Sequence, residues 1–490
     1  MTHTRRLVAG FAGALALALT AVVPAAASGN GIGTPGVGDR FFPLAGNGGY
    51  DVAHYDLDLA WSPSSGVLRG TARIDATTTE RLRQFDLDLR GFDVSSVLVN
   101  GMRAGYIRRG QELVIRPART LSIGARIRIA VAYHGVPHSV TDPDGSIDGW
   151  FRTNDGVDVL SEPQGAPSWF PANDHPSNKA TFTIAMTVPS NLSVISNGLP
   201  DTPKRHGDRT TYTWREVHPM ATYLATVAVG PFHITTSRTA SGIPIINAAD
   251  PTTSASSLAA MRDVGKIITW ESSMFGPYPF ESVGAISVNA PKVGYSLETQ
   301  TRPTFTFGVD DDILVHELAH QWFGDSVSLQ TWPNIWLNEG FATYAEWLWS
   351  GHIGKQTPQQ IFDGLYATPA SSTLWTAPPG PSVLPGPKEL FSDPVYDRGA
   401  MTLQALRDTI GDTDFFDVLR TWASEHRYGN GDTVQFIALA EHVSGRSLKT
   451  LFHQWLDMPS RPPRPPAAPG GGVPSVSAAS HTARPDVGRR

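Results

Sequence analysis

The segment His316-Glu317-Leu318-Ala319-His320 joins two imidazoles and a carboxylate at a spacing that suits metal chemistry. On a helix, four positions turn through about 400° and rise ~6 Å, so both imidazoles leave one face a turn apart. At that spacing two nitrogens can reach one tetrahedral Zn²⁺ at about 2.0–2.1 Å. Glu317, beside the first histidine, stands where it can take a proton from water activated by such an ion. The competing reading is a solvated helix face with incidental histidines. A second segment, Trp336-Leu337-Asn338-Glu339-Gly340-Phe341-Ala342, weighs against it, because Glu339 follows His320 by 19 positions across a turn containing Pro333 and Asn334. Two helices joined by that turn pack antiparallel and deliver Glu339 as a third ligand. Two His and one Glu leave a fourth position open, the pattern of a catalytic zinc, one per chain. Glu346 shares the face of Glu339 and is either a partner for a ligand imidazole or a rim carboxylate.

The chain that must position these groups has 490 residues, no cysteine and a formal charge of −6. Without cysteine there are no disulfides and no thiolate ligands, so a catalytic metal must sit on His, Asp or Glu. The slightly acidic balance excludes nucleic acid and anionic membrane as main partners. From about residue 50 to 232, short runs alternate with period two, as in Tyr55-Asp56-Leu57-Asp58-Leu59 and Arg126-Ile127-Arg128-Ile129. Strands without intervening helices predict an antiparallel sandwich or saddle-shaped sheet. After Pro244 the period changes. Helices are expected over 259–275, 312–323, 335–350, 358–366, 398–410, 414–426, 433–443 and 448–456, with Pro358 at a first helical position. The resulting class is multidomain α+β, with boundaries at 40–235 for the β-sheet domain and 236–460 for the helical catalytic domain.

Both ends read as something other than fold. Arg5 and Arg6, the apolar stretch to Val23 and Ala25-Ala26-Ala27 form an export signal over residues 1–28, so a secreted, extracellular protein is expected. No later apolar run is long enough to span a bilayer. Residues 461–490 hold seven prolines, three consecutive glycines and no periodic pattern, which predicts a disordered tail.

The run from His316 to Asp325, continued by Trp336 to Ala342, resembles the aminopeptidase N family of zinc metallopeptidases, in the gluzincin clan, over about residues 50–456. The resemblance implies a thermolysin-like catalytic domain, with His316, His320 and Glu339 as zinc ligands and Glu317 as general base. Gly294-Tyr295-Ser296-Leu297-Glu298 sits where the family carries its Gly-x-Met-Glu-Asn exopeptidase segment, with Leu297 for Met and Thr299 for Asn. Gly294 and Glu298 match, which implies substrate-binding roles. A carboxylate near zinc is also a physical partner for a free N-terminal ammonium, and such a clamp measures the distance to the scissile bond. Glu162-Pro163, with Phe170-Pro171, Asp174 and Lys179, falls in register with the loop that completes the family's amine pocket, although Leu160 replaces the usual Gln two positions before Glu162. Tyr396-Asp397-Arg398-Gly399 resembles the segment that supplies an oxyanion-stabilising phenol.

The function expected is a secreted zinc aminopeptidase acting on peptides with free N-termini, of a short form without the family's large C-terminal helical domain. An open-cleft endopeptidase is the rival enzyme reading, against which Glu298 and Glu162 argue. A peptide-binding protein that has lost catalysis is the non-enzymatic alternative, and it would fit had Glu317, His320 or Tyr396 been replaced. Asp142-Pro143-Asp144-Gly145-Ser146 reads as a turn, since Ile147 stands where a calcium loop needs glycine.

Overall fold

The computed structural model describes residues 30–465; the segment read as an export signal and most of the predicted tail lie outside them. The strand Tyr50–Trp61 buries every second side chain along most of its length, and Ala180–Pro189 alternates without a break. That period is the pleat of a sheet with one face on a core. The two strands lie side by side at the centre of a nine-stranded sheet, with Leu68–Thr78 and Arg126–Gly135 on one side and Arg209–Met220 on the other. All its pairings are antiparallel except this central one, where Tyr55 faces Phe182 in a parallel register. A second sheet, five-stranded, places Val157–Leu160 at its middle, and Glu162 follows that strand.

The second half opens with another five-stranded sheet that begins at His233 and ends on the edge strand Ser296–Leu297. Helices α1 (Ala255–Met261), α2 (Val264–Phe275), α3 (Asp311–Ala319), α4 (Trp336–His352) and α5 (Pro358–Tyr366) follow or accompany it. The single helix expected over 259–275 is two. Ser254 caps α1 four residues earlier than predicted, and the chain steps at Arg262–Asp263 so that Met261, Val264, Ile267 and Ile268 all reach the core. Helix α5 starts at Pro358 as expected, with Thr357 and Gln360 closing a capping box.

The predicted tail differs at its start. Arg461 and Arg464 lie over the Tyr366 ring, Tyr366 Oη donates to the Pro462 carbonyl at 2.7 Å, and Arg464 pairs with Asp363 at 2.8 Å. Residues 461–465 therefore dock on α5. Proline-rich composition hides this, because the anchoring comes from arginine stacking on aromatics that only the fold presents.

The two halves are joined by buried polar contacts. Lys179 Nζ donates to the carbonyls of Asp325 at 2.6 Å and Ser326 at 2.9 Å, and burial pulls its pKa down to about 7. Asp39, also buried, accepts from the Trp332 backbone N–H at 2.8 Å.

Candidate active site

Helix α3 is buried on all sides from Ile313 to Ala319, and α4 from Trp336 to Trp349. Helices apolar all round belong in a core, so the His and Glu residues on them must find partners there. Asp310 caps α3 by accepting from the Ile313 N–H at 3.0 Å. The helix ends at Ala319, short of the expected Phe323, because the chain turns at Gly324, whose φ is +138°. A Cβ at Gly324 would stand 3.2 Å from His320 Nδ1. Further along, α4 and the helix Gly399–Ile410 cross backbone to backbone. A Cβ on Gly340 would come within 2.8 Å of the Gly399 carbonyl carbon, and one on Gly399 within 2.9 Å of Gly340 Cα. Only glycine at both positions lets the segment carrying Tyr396 lie this close to the one carrying Glu339.

These elements bring His316, His320 and Glu339 together, fully buried, with one donor atom of each within 4.8 Å of the others. His316 Nε2 is 3.3 Å and His320 Nε2 3.5 Å from Glu339 Oε2. Two ligands held ~2.0–2.1 Å from one tetrahedral ion stand about 3.3 Å apart, so the spacing fits zinc. Among the described residues, His320 Nε2 and Glu339 Oε1 are buried without a hydrogen-bond partner, as ligand atoms facing a cation would be. Burial raises the Glu339 carboxyl, but the His320 and His316 rings beside it outweigh burial and hold it down at about 2, so it is anionic.

The outer nitrogens are tied down as well. His316 Nδ1 lies 2.8 Å from Glu346 Oε1, and His320 Nδ1 lies 3.0 Å from the Phe323 carbonyl. Glu346 is therefore a partner of the imidazole and not a rim carboxylate. Partners of this kind fix ring orientation and tautomer, and removing one costs about 10–100-fold in metal affinity. Glu346→Gln is expected to weaken zinc binding by that factor in chelator competition, and an unchanged affinity would show that the contact does not orient His316.

Around this cluster stand the remaining candidates. Glu317 and Glu298, both fully buried, place a carboxylate oxygen within 4.8 Å of each other and of a His320 nitrogen. Tyr396 lies nearly parallel to the His316 ring at 6.0 Å, on a five-residue π-helical turn, Pro394–Arg398. Arg398 holds that turn by donating to the carbonyls of Trp455, Trp375 and Met458 at 2.7, 2.8 and 2.6 Å. Glu298 follows the edge strand Ser296–Leu297. Its Oε1 accepts from Tyr223 Oη at 3.3 Å, while its Oε2 is buried with no donor among the described residues. Burial pushes the Glu298 carboxyl up. Glu162 is fully buried, and the strand before it meets the strand before Glu298 through Leu160 and Leu297, which share one small apolar cluster with Phe151 and Tyr295. Two of the three departures from the family pattern, Leu160 and Leu297, thus belong to one cluster. Thr299 turns its hydroxyl back onto the Arg302 carbonyl at 2.5 Å, inside its own turn. Gly294 is exposed with φ +83°, and a Cβ there would meet nothing within 4 Å, so the position demands only the left-handed turn.

Two residues that carry no spacing signal belong to the site. Tyr223 sits on a short 3₁₀ turn anchored by Thr222 Oγ1 donating to Asp174 at 2.6 Å. Burial, then the charges of Glu298 and Glu162, push its phenol well above its ordinary range, so it remains a donor. Gln321, inside the His316–Asp325 run, donates from Nε2 to the Glu298 carbonyl at 3.1 Å and to Asp325 at 2.7 Å. Its Oε1 accepts from the Thr301 N–H at 2.8 Å. Its place beside His320 was the only available hint.

Comparison with known proteins agrees with this geometry. Residues 52–224 match the family model described as the peptidase M1 N-terminal domain, and residues 309–455 the peptidase family M1 domain. Curated relatives include probable aminopeptidase 2 of Sulfurisphaera tokodaii, 28% identical over 59% of this chain and 40% of its own length. Glutamyl aminopeptidase of Bos taurus is 26% identical over 84% of this chain and 46% of its own length. The chain thus spans less than half the length of these relatives. The crystal structure of an M1 zinc metallopeptidase from Deinococcus radiodurans superposes with a TM-score of 0.81 at 30% identity, covering 88% of this chain and 100% of that one. A mutant of that protein, bound to a Tyr-Ser-Ala substrate, matches with the same score, identity and coverage.

Proposed function

Since the chain belongs to the M1 family of peptidases, we propose that it is a zinc-dependent aminopeptidase that removes N-terminal residues from peptides. The observation that carries this reading is Glu298: a buried carboxylate with one oxygen lacking a donor, beside Glu317 and the His316–His320–Glu339 cluster. A buried anion so placed matches the free ammonium of a substrate. Zinc on His316, His320 and Glu339 would supply Lewis-acid polarisation of the scissile carbonyl and acidify the attacking water. The chain's own residues do the rest. Glu298, with Glu162, binds the ammonium and sets the first peptide bond against Glu317. Glu317 takes the proton of the attacking water and passes it to the departing amine. The Tyr396 phenol donates to the oxyanion as charge develops. Tyr223 and Gln321 hold Glu298 in place.

We propose secretion as well, on the strength of the leader read in residues 1–28. Among the described residues no helix is long and apolar enough to cross a membrane. The test uses protein recovered from culture fluid, whose N-terminus near Gly29 would mark cleavage of the leader. It is assayed on a panel of amino-acyl substrates and on the N-acetylated form of each. Free amines are expected to be cleaved and acetylated ones rejected. Efficient cleavage of the acetylated set would replace this reading with an endopeptidase.

A further inference from the structure

A second group of ligating side chains lies outside this site. Glu216 and His218 stand two apart on the strand Arg209–Met220, and so on one face, while Val217 between them is exposed. Glu281 reaches them from the loop after α2. One donor atom of each lies within 4.8 Å of the others. His218 Nδ1 is 2.8 Å from Glu281 Oε2 and 3.6 Å from Glu216 Oε1, which brackets the ~3.3 Å between neighbouring ligands of one ion. The imidazole is held by stacking on Tyr428 at 4.6 Å and by the edge of Phe280 at 5.8 Å.

Each carboxylate has one oxygen without a donor among the described residues. The Glu216 side chain is only 1% exposed, and its Oε2 is buried with no hydrogen-bond partner among the described residues, as is Glu281 Oε1. Glu216 Oε1 accepts the His218 backbone N–H at 2.9 Å. Arg302 is near enough to feel both charges, but its two Nη groups go to the Ser196 carbonyl and to the hydroxyls of Thr301 and Ser282, and its Nε is hydrogen-bonded to neither carboxylate. The imidazole serves both anions from one nitrogen, which leaves Glu216 Oε2 and Glu281 Oε1 free to face an ion. His218 and Glu281 remain 24% and 18% exposed, an entry path for an ion and its waters.

We propose that Glu216, His218 and Glu281 form a second divalent-cation site, selective for a zinc-like transition ion, that staples the β-sheet half to the catalytic half. One imidazole with two carboxylates suits such an ion, whereas Ca²⁺ asks for six to eight oxygens. The site shares no residue with the catalytic cluster. It is tested by equilibrium dialysis of the purified, zinc-loaded protein against Zn²⁺, followed by metal analysis. About two ions per chain are expected at saturation, the second held more weakly. Glu281→Gln and His218→Ala should each return the count to one and leave kcat unchanged. Glu339→Ala should lose the catalytic ion and keep the other. Added Zn²⁺ should raise the unfolding temperature of Glu339→Ala but not of the Glu339→Ala/Glu281→Gln double variant. A count of one in the wild type would overturn the proposal. So would a second ion that survives both single variants, or displacement of that ion by equimolar Ca²⁺. Glu281→Gln, at a partly exposed position, keeps the test usable should His218→Ala fail to fold.

Discussion

Replacing Glu317 by Gln is expected to lower kcat by about 10²- to 10⁴-fold while the protein keeps its zinc, because a positioned general base contributes that much. The substitution preserves shape and burial but removes the oxygen that can take a proton. Glu317 lies on a fully buried turn of α3, so the protein offers few substitutes. Glu298 places a carboxylate oxygen within 4.8 Å of Glu317 and His320, but its Oε1 already accepts from Tyr223 and its place in this reading is at the ammonium. Metal content measured on the same preparation separates loss of base from loss of ion. Zinc-loaded Glu317→Gln turning over at near wild-type rate would mean that another group accepts the proton, and the assignment would fall.

The second large effect concerns the clamp. Glu298→Ala leaves the substrate ammonium in a buried site without its anion. Removing one partner of such a desolvated pair costs about 2–5 kcal/mol, roughly 30- to several-thousand-fold in kcat/KM. Glu298→Gln keeps an acceptor for Tyr223 and loses only the charge, so it should fall between Ala and wild type. Zinc content should be unchanged in both, since Glu298 is not among the three ligands. The loss should be confined to substrates with a free amine. An unchanged kcat/KM on free amino termini in Glu298→Ala would end the exopeptidase reading and leave the metal site untouched.

Local rules made much of this protein legible without a structure. The His316–His320 spacing puts two imidazoles on one face because helical periodicity is local. Strand alternation marks the β-sheet half, and Thr357-Pro358 marks the start of α5, because pleat and cap each act within a few residues. Glu339 is reachable from sequence because the connection over residues 320–335 lets α4 pack against α3 and bring its first turn to the histidines.

Tertiary structure decided the rest. Nothing in the chain distinguishes Tyr223 from the other eleven tyrosines. It joins Glu298 only because a turn ending one strand run packs beneath an edge strand 75 positions later. Glu162 and Glu298 are 136 positions apart, and the strands before them share one apolar cluster through Leu160 and Leu297, an association no period announces. Whether Glu346 served His316 or the rim depended on how α4 packs against α3, which spacing along the chain does not fix. Glu216, His218 and Glu281 carry no joint signal in the sequence for the same reason: their carriers belong to different halves, and only packing those halves together brings their side chains to one place.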